Sequence, residues 1–184
     1  KNRSDHQVRA LENASRIFDK NDALTVNTLE AIYGRESSFG NQTILKNDKR
    51  GEVGAAGHFQ IQKDVAQKHS KTKITKNNDP RFDIDDASNI AALYLIDLNK
   101  LFSEDSPLIG KTSTIAVMDI NERKLFIIAA YNAGQTRIGK AQMEAKADGK
   151  DGTEWEVVKE YLKKSGATDA KVEEIIQYVE SVIT

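Results

Sequence analysis

The sequence predicts a mainly α-helical chain, and three observations carry that prediction. Apolar residues recur at three- and four-residue spacings through most of the 184 residues. The stretch 121–133 is apolar nearly all round, which marks a central, buried helix. Only 41–58, punctuated by glycines, and 112–118, rich in β-branched residues, leave room for a strand.

The elements follow in order. Residues 5–19 read as a polar first helix carrying Val8, Leu11 and Phe18. Thr25 or Asn27 starts the second helix, which Gly40 ends. Gly51, Gly54 and Gly57 then mark a loop with room for a short hairpin, and residues 60–69 read as helix. A polar loop follows and is closed by Pro80. Asp85 or Asp86 caps a long helix to about Phe102, whose wide face of Ile90, Ala91, Tyr94, Leu95, Leu98 and Leu101 includes Asp97. The stretch 112–118 is strand or extended loop. Helices are expected over 121–133, 135–147, 154–165 and 169–183, with 147–152 the best candidate for an internal boundary.

With 39% hydrophobic residues, the chain is long enough for one domain with a sizeable core. A formal charge of −1 argues against a general polyanion binder, so no nucleic-acid partner is expected. Without cysteine, disulfides and thiolate metal sites are excluded. His6, His58 and His69 have no metal-ligand spacing, and no metal or cofactor is expected. Lysines 63, 68, 71, 73 and 76 read as a solvated face. The longest apolar stretch, 125–131, is too short to span a bilayer. The chain opens at Lys1 without an initiator Met or signal-like segment, which reads as a processed or trimmed chain, with any targeting peptide outside it.

Three stretches place polar groups where apolar ones belong. Glu36 shares a helical face with Leu29, Ile32 and Tyr33 at i−7, i−4 and i−3. It reads as a glutamate paired with a nearby Arg or Lys, as a carboxylate turned out to solvent at the helix end, or as a general acid. Apolar neighbours and the negative end of the helix dipole both favour the protonated form of such a carboxyl. A carboxyl that keeps its proton can donate it to a leaving oxygen. In "GAAGHFQIQ" (54–62), small residues permit close approach and Gln60 offers both donor and acceptor beside Phe59; a structural turn is the competing reading. In "IIAAYNAG" (127–134), Asn132 shares a face with Leu125, Ile128 and Ala129 and Tyr131 adds a phenol, unless both are a core pair ahead of a Gly134 cap.

Taken in order, these stretches resemble the soluble-type lytic transglycosylases, which share a lysozyme-like fold with goose-type lysozyme. "ESSF" (36–39) is similar to the family's catalytic Glu-Ser motif, and "GAAGHFQI" (54–61) to its Gly-Ala-x-Gly-Leu-Met-Gln-Ile. "NIAALYLIDL" (89–98) resembles the Asn-Ile helix, "AAYNAG" (129–134) the third motif, and "YVESVI" (178–183) the Tyr-Val ending. Two departures stand out. His58 and Phe59 replace Leu-Met, and the interval from Glu36 to Gln60 is long, nearer the goose-type arrangement. The stretch 103–120 also looks long for the family.

The resemblance implies a lysozyme-like helical domain with at most a small β-hairpin near the cleft. Residues 1–184 would form one catalytic domain, with its core over about 20–146 and C-terminal helices over about 154–183. The implied substrate is the glycan strand of peptidoglycan, cut between N-acetylmuramic acid and N-acetylglucosamine without a cofactor. Glu36 would be the acid and base, Ser37 would support it and Tyr131 would orient it. Phe59, Gln60 and Asn132 would line or support the sugar subsites. Two other functions stay open. One is a goose-type muramidase using Asp48 or Glu52 as second carboxylate; the other is a non-catalytic glycan-binding or scaffold protein. Action in the cell envelope, periplasmic or exported, and a monomeric state are expected, with no protein partner named.

Overall fold

The computed structural model describes residues 3–43 and 54–183. Among them are eight α-helices and one two-stranded antiparallel sheet, as the helical periodicity predicts. The chain divides into two compact units, residues 1–94 and 95–184.

In the first unit, α1 (Asp5–Ser15) opens on a capping box, in which the Ser4 hydroxyl accepts from the Gln7 backbone and the Gln7 side chain accepts from the Ser4 backbone. It ends at Ser15, four residues short of the expected end at 19, and the chain turns at Ser15 and Asp19. Helix α2 (Val26–Ser37) starts after Thr25, which forms a second capping box with Thr28. Helices α1 and α2 pack together. Strands β1 (Ala55–Ala56) and β2 (Ile61–Gln62) pair Ala55 with Gln62 and Ala56 with Ile61. The hairpin takes the first three residues of the helix expected from 60, so α3 runs only over Lys63–His69. A 3₁₀ turn at Pro80–Phe82 leads into α4 (Ile84–Phe102). The Asp83 carboxylate accepts from the Asp86 N–H, so the start is set by Asp83 rather than by Asp85 or Asp86. Leu11, Leu29, Ile32, Tyr33, Phe59 and Ile74 are core residues of this unit.

In the second unit, α5 (Ile120–Ala133) is buried nearly all round and packs on α6 (Gln135–Ala147), α7 (Trp155–Val158) and α8 (Asp169–Ile183). Phe126 sits between Phe102 at 6.0 Å and the edge of Trp155 at 5.6 Å. The ambiguous stretch 112–118 is extended and forms no ladder beyond an isolated Pro107–Ser113 bridge. The fully buried Gln142 takes the place of a neighbouring strand. Its carboxamide accepts from the Ile115 N–H at 3.0 Å and donates to the Ile115 carbonyl at 2.9 Å. The expected 154–165 helix is broken into α7, a 3₁₀ turn at Lys159–Tyr161 and further turns before Gly166. Burial of Trp155, whose backbone N–H donates to the Glu122 carboxylate at 2.6 Å, outweighs local helix preference there. No helix among the described residues is long and apolar enough to cross a membrane.

Candidate active site

Glu36 lies on the last turn of α2, half-buried, above the fully buried Leu29, Ile32 and Tyr33. The helix does not reach Gly40. It stops at Ser37, and Ser38, Phe39 and Gly40 follow with φ of 51°, 59° and 85°. Two of these three left-handed residues carry a Cβ, at roughly 1–2 kcal/mol each. The surroundings hold this elbow. The buried Ser37 hydroxyl donates to the Tyr33 carbonyl at 3.3 Å and accepts from the Gly40 N–H at 3.0 Å. The Phe39 ring meets Tyr33 edge-on at 5.7 Å, and its carbonyl accepts from the Gln7 side chain at 3.1 Å. A Cβ on Gly40 would stand 2.6 Å from the Tyr33 hydroxyl, so this position requires glycine for space as well as for φ.

The hairpin loop supplies the next residues. Phe59 is 1% exposed and stacks on Tyr33 with centroids 5.1 Å apart, so it forms a floor under the loop rather than an open wall. Gln60 has a φ of 48°, and its amide nitrogen donates to the Thr43 and Gly57 carbonyls, both at 2.9 Å. His58 is bonded through both ring nitrogens, to the Tyr33 hydroxyl and to the Phe82 carbonyl, each at 3.2 Å. Burial lowers the His58 pKa against the opposing effects of the Phe82 carbonyl and Asp83. Burial also raises the Tyr33 pKa, with a smaller opposite effect from Gln7.

Beneath the loop lies a residue that sequence reasoning missed. Arg81 is 1% exposed; its guanidinium pairs with Asp79 at 2.8 Å and donates to the Gly54 carbonyl at 2.7 Å and the Ile61 carbonyl at 2.9 Å. It thereby holds both arms of the hairpin. Gly57 lies against its backbone, where a Cβ would meet the Arg81 carbonyl oxygen at 2.1 Å. The sequence signal was slight: an Asp-Pro-Arg turn inside a polar loop.

The third motif belongs to the second unit. Tyr131, 8% exposed, and Asn132 sit on the last turn of α5, before Gly134 with φ of 89°. The Asn132 amide donates to Glu174 of α8 at 3.1 Å, and its oxygen accepts from Lys171 at 3.4 Å. Asp48 and Glu52, the possible second carboxylates, lie outside the described residues.

Glu36, Ser37, Phe59 and Gln60 thus belong to one unit, around an elbow and a hairpin tied by Tyr33 and His58. A family model for the transglycosylase SLT domain matches residues 14–153, well over half of the chain and all three motifs. No curated protein matches it. The chain belongs to the SLT transglycosylase family, with its lysozyme-like helical fold and lytic-transglycosylase-type cleavage of peptidoglycan.

Proposed function

We propose that this chain cleaves the β-1,4 bond between N-acetylmuramic acid and N-acetylglucosamine and leaves a 1,6-anhydro end, with Glu36 as the single acid and base. The observation that carries this reading is Glu36 half-buried at the end of α2, above a buried apolar face and beside an elbow that fixes where the helix ends. Glu36 first gives its proton to the glycosidic oxygen. As carboxylate it then takes the proton of the muramoyl 6-hydroxyl, which closes on C1. The substrate N-acetyl group stabilises the developing cation, so no second protein carboxylate is required, unlike in most glycosidases. In this reading Ser37 braces the acid and Phe59 and Gln60 shape the adjoining loop. By motif position, Tyr131 orients the acid and Asn132 lines a subsite. The whole chain is one catalytic domain acting in the cell envelope, periplasmic or exported, as a monomer.

Mass spectrometry of digested peptidoglycan tests the product. Anhydromuropeptides, each lighter by one water than the hydrolytic product, are expected. Reducing-end muropeptides as the main product, lost on Asp48→Asn or Glu52→Gln, would instead make the protein a muramidase of the goose type. An inverting hydrolase needs its second carboxylate roughly 6.5–9.5 Å from the acid. Tyr131→Phe should lower kcat about tenfold and move KM little, because an orienting group acts mainly on the transition state. An equal loss in glycan binding would remove that role.

A further inference from the structure

We infer that His58, in a fixed neutral tautomer, latches the elbow behind Glu36 through Tyr33 and is a positioning residue for the acid. This rests on the assignment of Glu36 as the acid. The hydrogen-bond partners define the tautomer. The Phe82 carbonyl can only accept, so His58 Nε2 carries the hydrogen and donates to it at 3.2 Å. Nδ1 is then an acceptor, and the Tyr33 hydroxyl 3.2 Å away donates to it. The same hydroxyl accepts from the Gln7 amide nitrogen at 2.9 Å, and that nitrogen also donates to the Phe39 carbonyl at 3.1 Å. Gln7 therefore donates both to the elbow and into a directed chain that runs through Tyr33 and His58 to the turn ahead of α4.

The latch acts where the backbone is costly. Ser38 and Phe39 stand in the left-handed region directly after the turn that carries Glu36. Phe39 is held by the Tyr33 ring and the Gln7 amide, and Gly40 lies within 3.0 Å of both Tyr33 and His58 when a Cβ is placed on it. Loosening Tyr33 releases the contacts that hold this geometry, and a small displacement of a catalytic acid is expensive in rate. An apolar residue at position 58, as in the family pattern, would offer the Tyr33 hydroxyl no acceptor.

The latch also titrates. A proton on Nδ1 removes the acceptor and leaves the Tyr33 hydroxyl facing another donor. Around the imidazole, α2 presents Tyr33 and the turn before α4 presents Asp83, which favours the protonated form. The Arg81 guanidinium in that turn is committed to Asp79 and to the Gly54 and Ile61 carbonyls. From α1 the network receives the neutral Gln7. Burial outweighs Asp83, so the latch stays closed near neutrality and opens as pH falls below the ordinary histidine value of about 6.5.

The test combines kinetics on purified peptidoglycan with ¹⁵N NMR of the histidine rings. His58→Leu and Tyr33→Phe should each lower kcat about tenfold, with KM within about twofold, while far-UV circular dichroism stays native. Wild-type kcat should fall on the acid side below about pH 6.5. His58→Gln keeps one donor and one acceptor and does not titrate, so it should recover most of the rate and lose that acid limb. The spectra should show His58 protonated on Nε2 alone at neutral pH. An Nδ1-protonated or exchanging ring overturns the latch, as does a His58→Leu rate within about twofold of wild type with the acid limb intact. A wrong acid assignment appears separately, as activity retained in Glu36→Gln, and leaves the ring spectrum unchanged.

Discussion

Glu36→Gln is expected to lower turnover of peptidoglycan by roughly 10²–10⁴-fold, the range that positioned acid–base groups supply. The amide preserves the shape of the side chain on the last turn of α2 and removes the transferable proton. Leu29, Ile32 and Tyr33 remain buried beneath it, so the melting temperature and glycan binding should stay near wild type. The mechanism also fixes the sign of the alkaline limb. In the proposed mechanism Glu36 starts protonated, so the wild-type rate should fall as pH rises through its ionisation, and the residual rate of the variant should lack that limb. Clearing assays, pH profiles and a binding isotherm on insoluble peptidoglycan measure all three. A purified variant that clears at near wild-type rate would remove Glu36 from the chemistry and leave the fold assignment in place.

The sequence makes the position of this acid legible because a helix writes its buried face at a fixed period. Leu29, Ile32 and Tyr33 are spaced as the face requires, and all three are fully buried. Thr25 was legible as a start for the same reason, since capping chemistry is local. The end of α2 was not. Gly40 advertises a left-handed residue, but Ser38 and Phe39 enter that region because Tyr33, Gln7 and Ser37 hold them there. The stretch 112–118 stayed ambiguous because its partner is a side chain, Gln142, 27 residues from Ile115. The helix expected over 154–165 fails because Trp155 is fixed by Glu122, 33 residues earlier. His58 was visible as a departure from the motif, yet its two partners lie 25 and 24 residues away. Apart from the local contacts of Tyr33 and Ser37 at the end of α2, the missing information is a contact distant along the chain, which no local pattern encodes.

Arg81 is the extreme case of such a contact, and Arg81→Ala should destabilise the protein by about 3–5 kcal/mol. The pair it forms with Asp79 is desolvated, with the side chains 2% and 11% exposed, so truncation leaves a carboxylate in the interior without its counter-charge. The Gly54 and Ile61 carbonyls lose a donor in the same step. Lysine cannot substitute. One ammonium group cannot reproduce a fork that meets both Asp79 oxygens and two carbonyls, so Arg81→Lys should recover only part of the loss. Urea denaturation with an unchanged m-value measures the difference. A shift below about 1 kcal/mol would show that the pair is no stronger than an exposed salt bridge. The consequence reaches the site, because the two carbonyls belong to the arms of the hairpin that presents His58, Phe59 and Gln60. At temperatures where Arg81→Ala remains folded, its residual activity should therefore fall further than that of wild type as urea is added, before the global transition begins. Loss of activity that coincides with global unfolding in both proteins would confine Arg81 to stability alone.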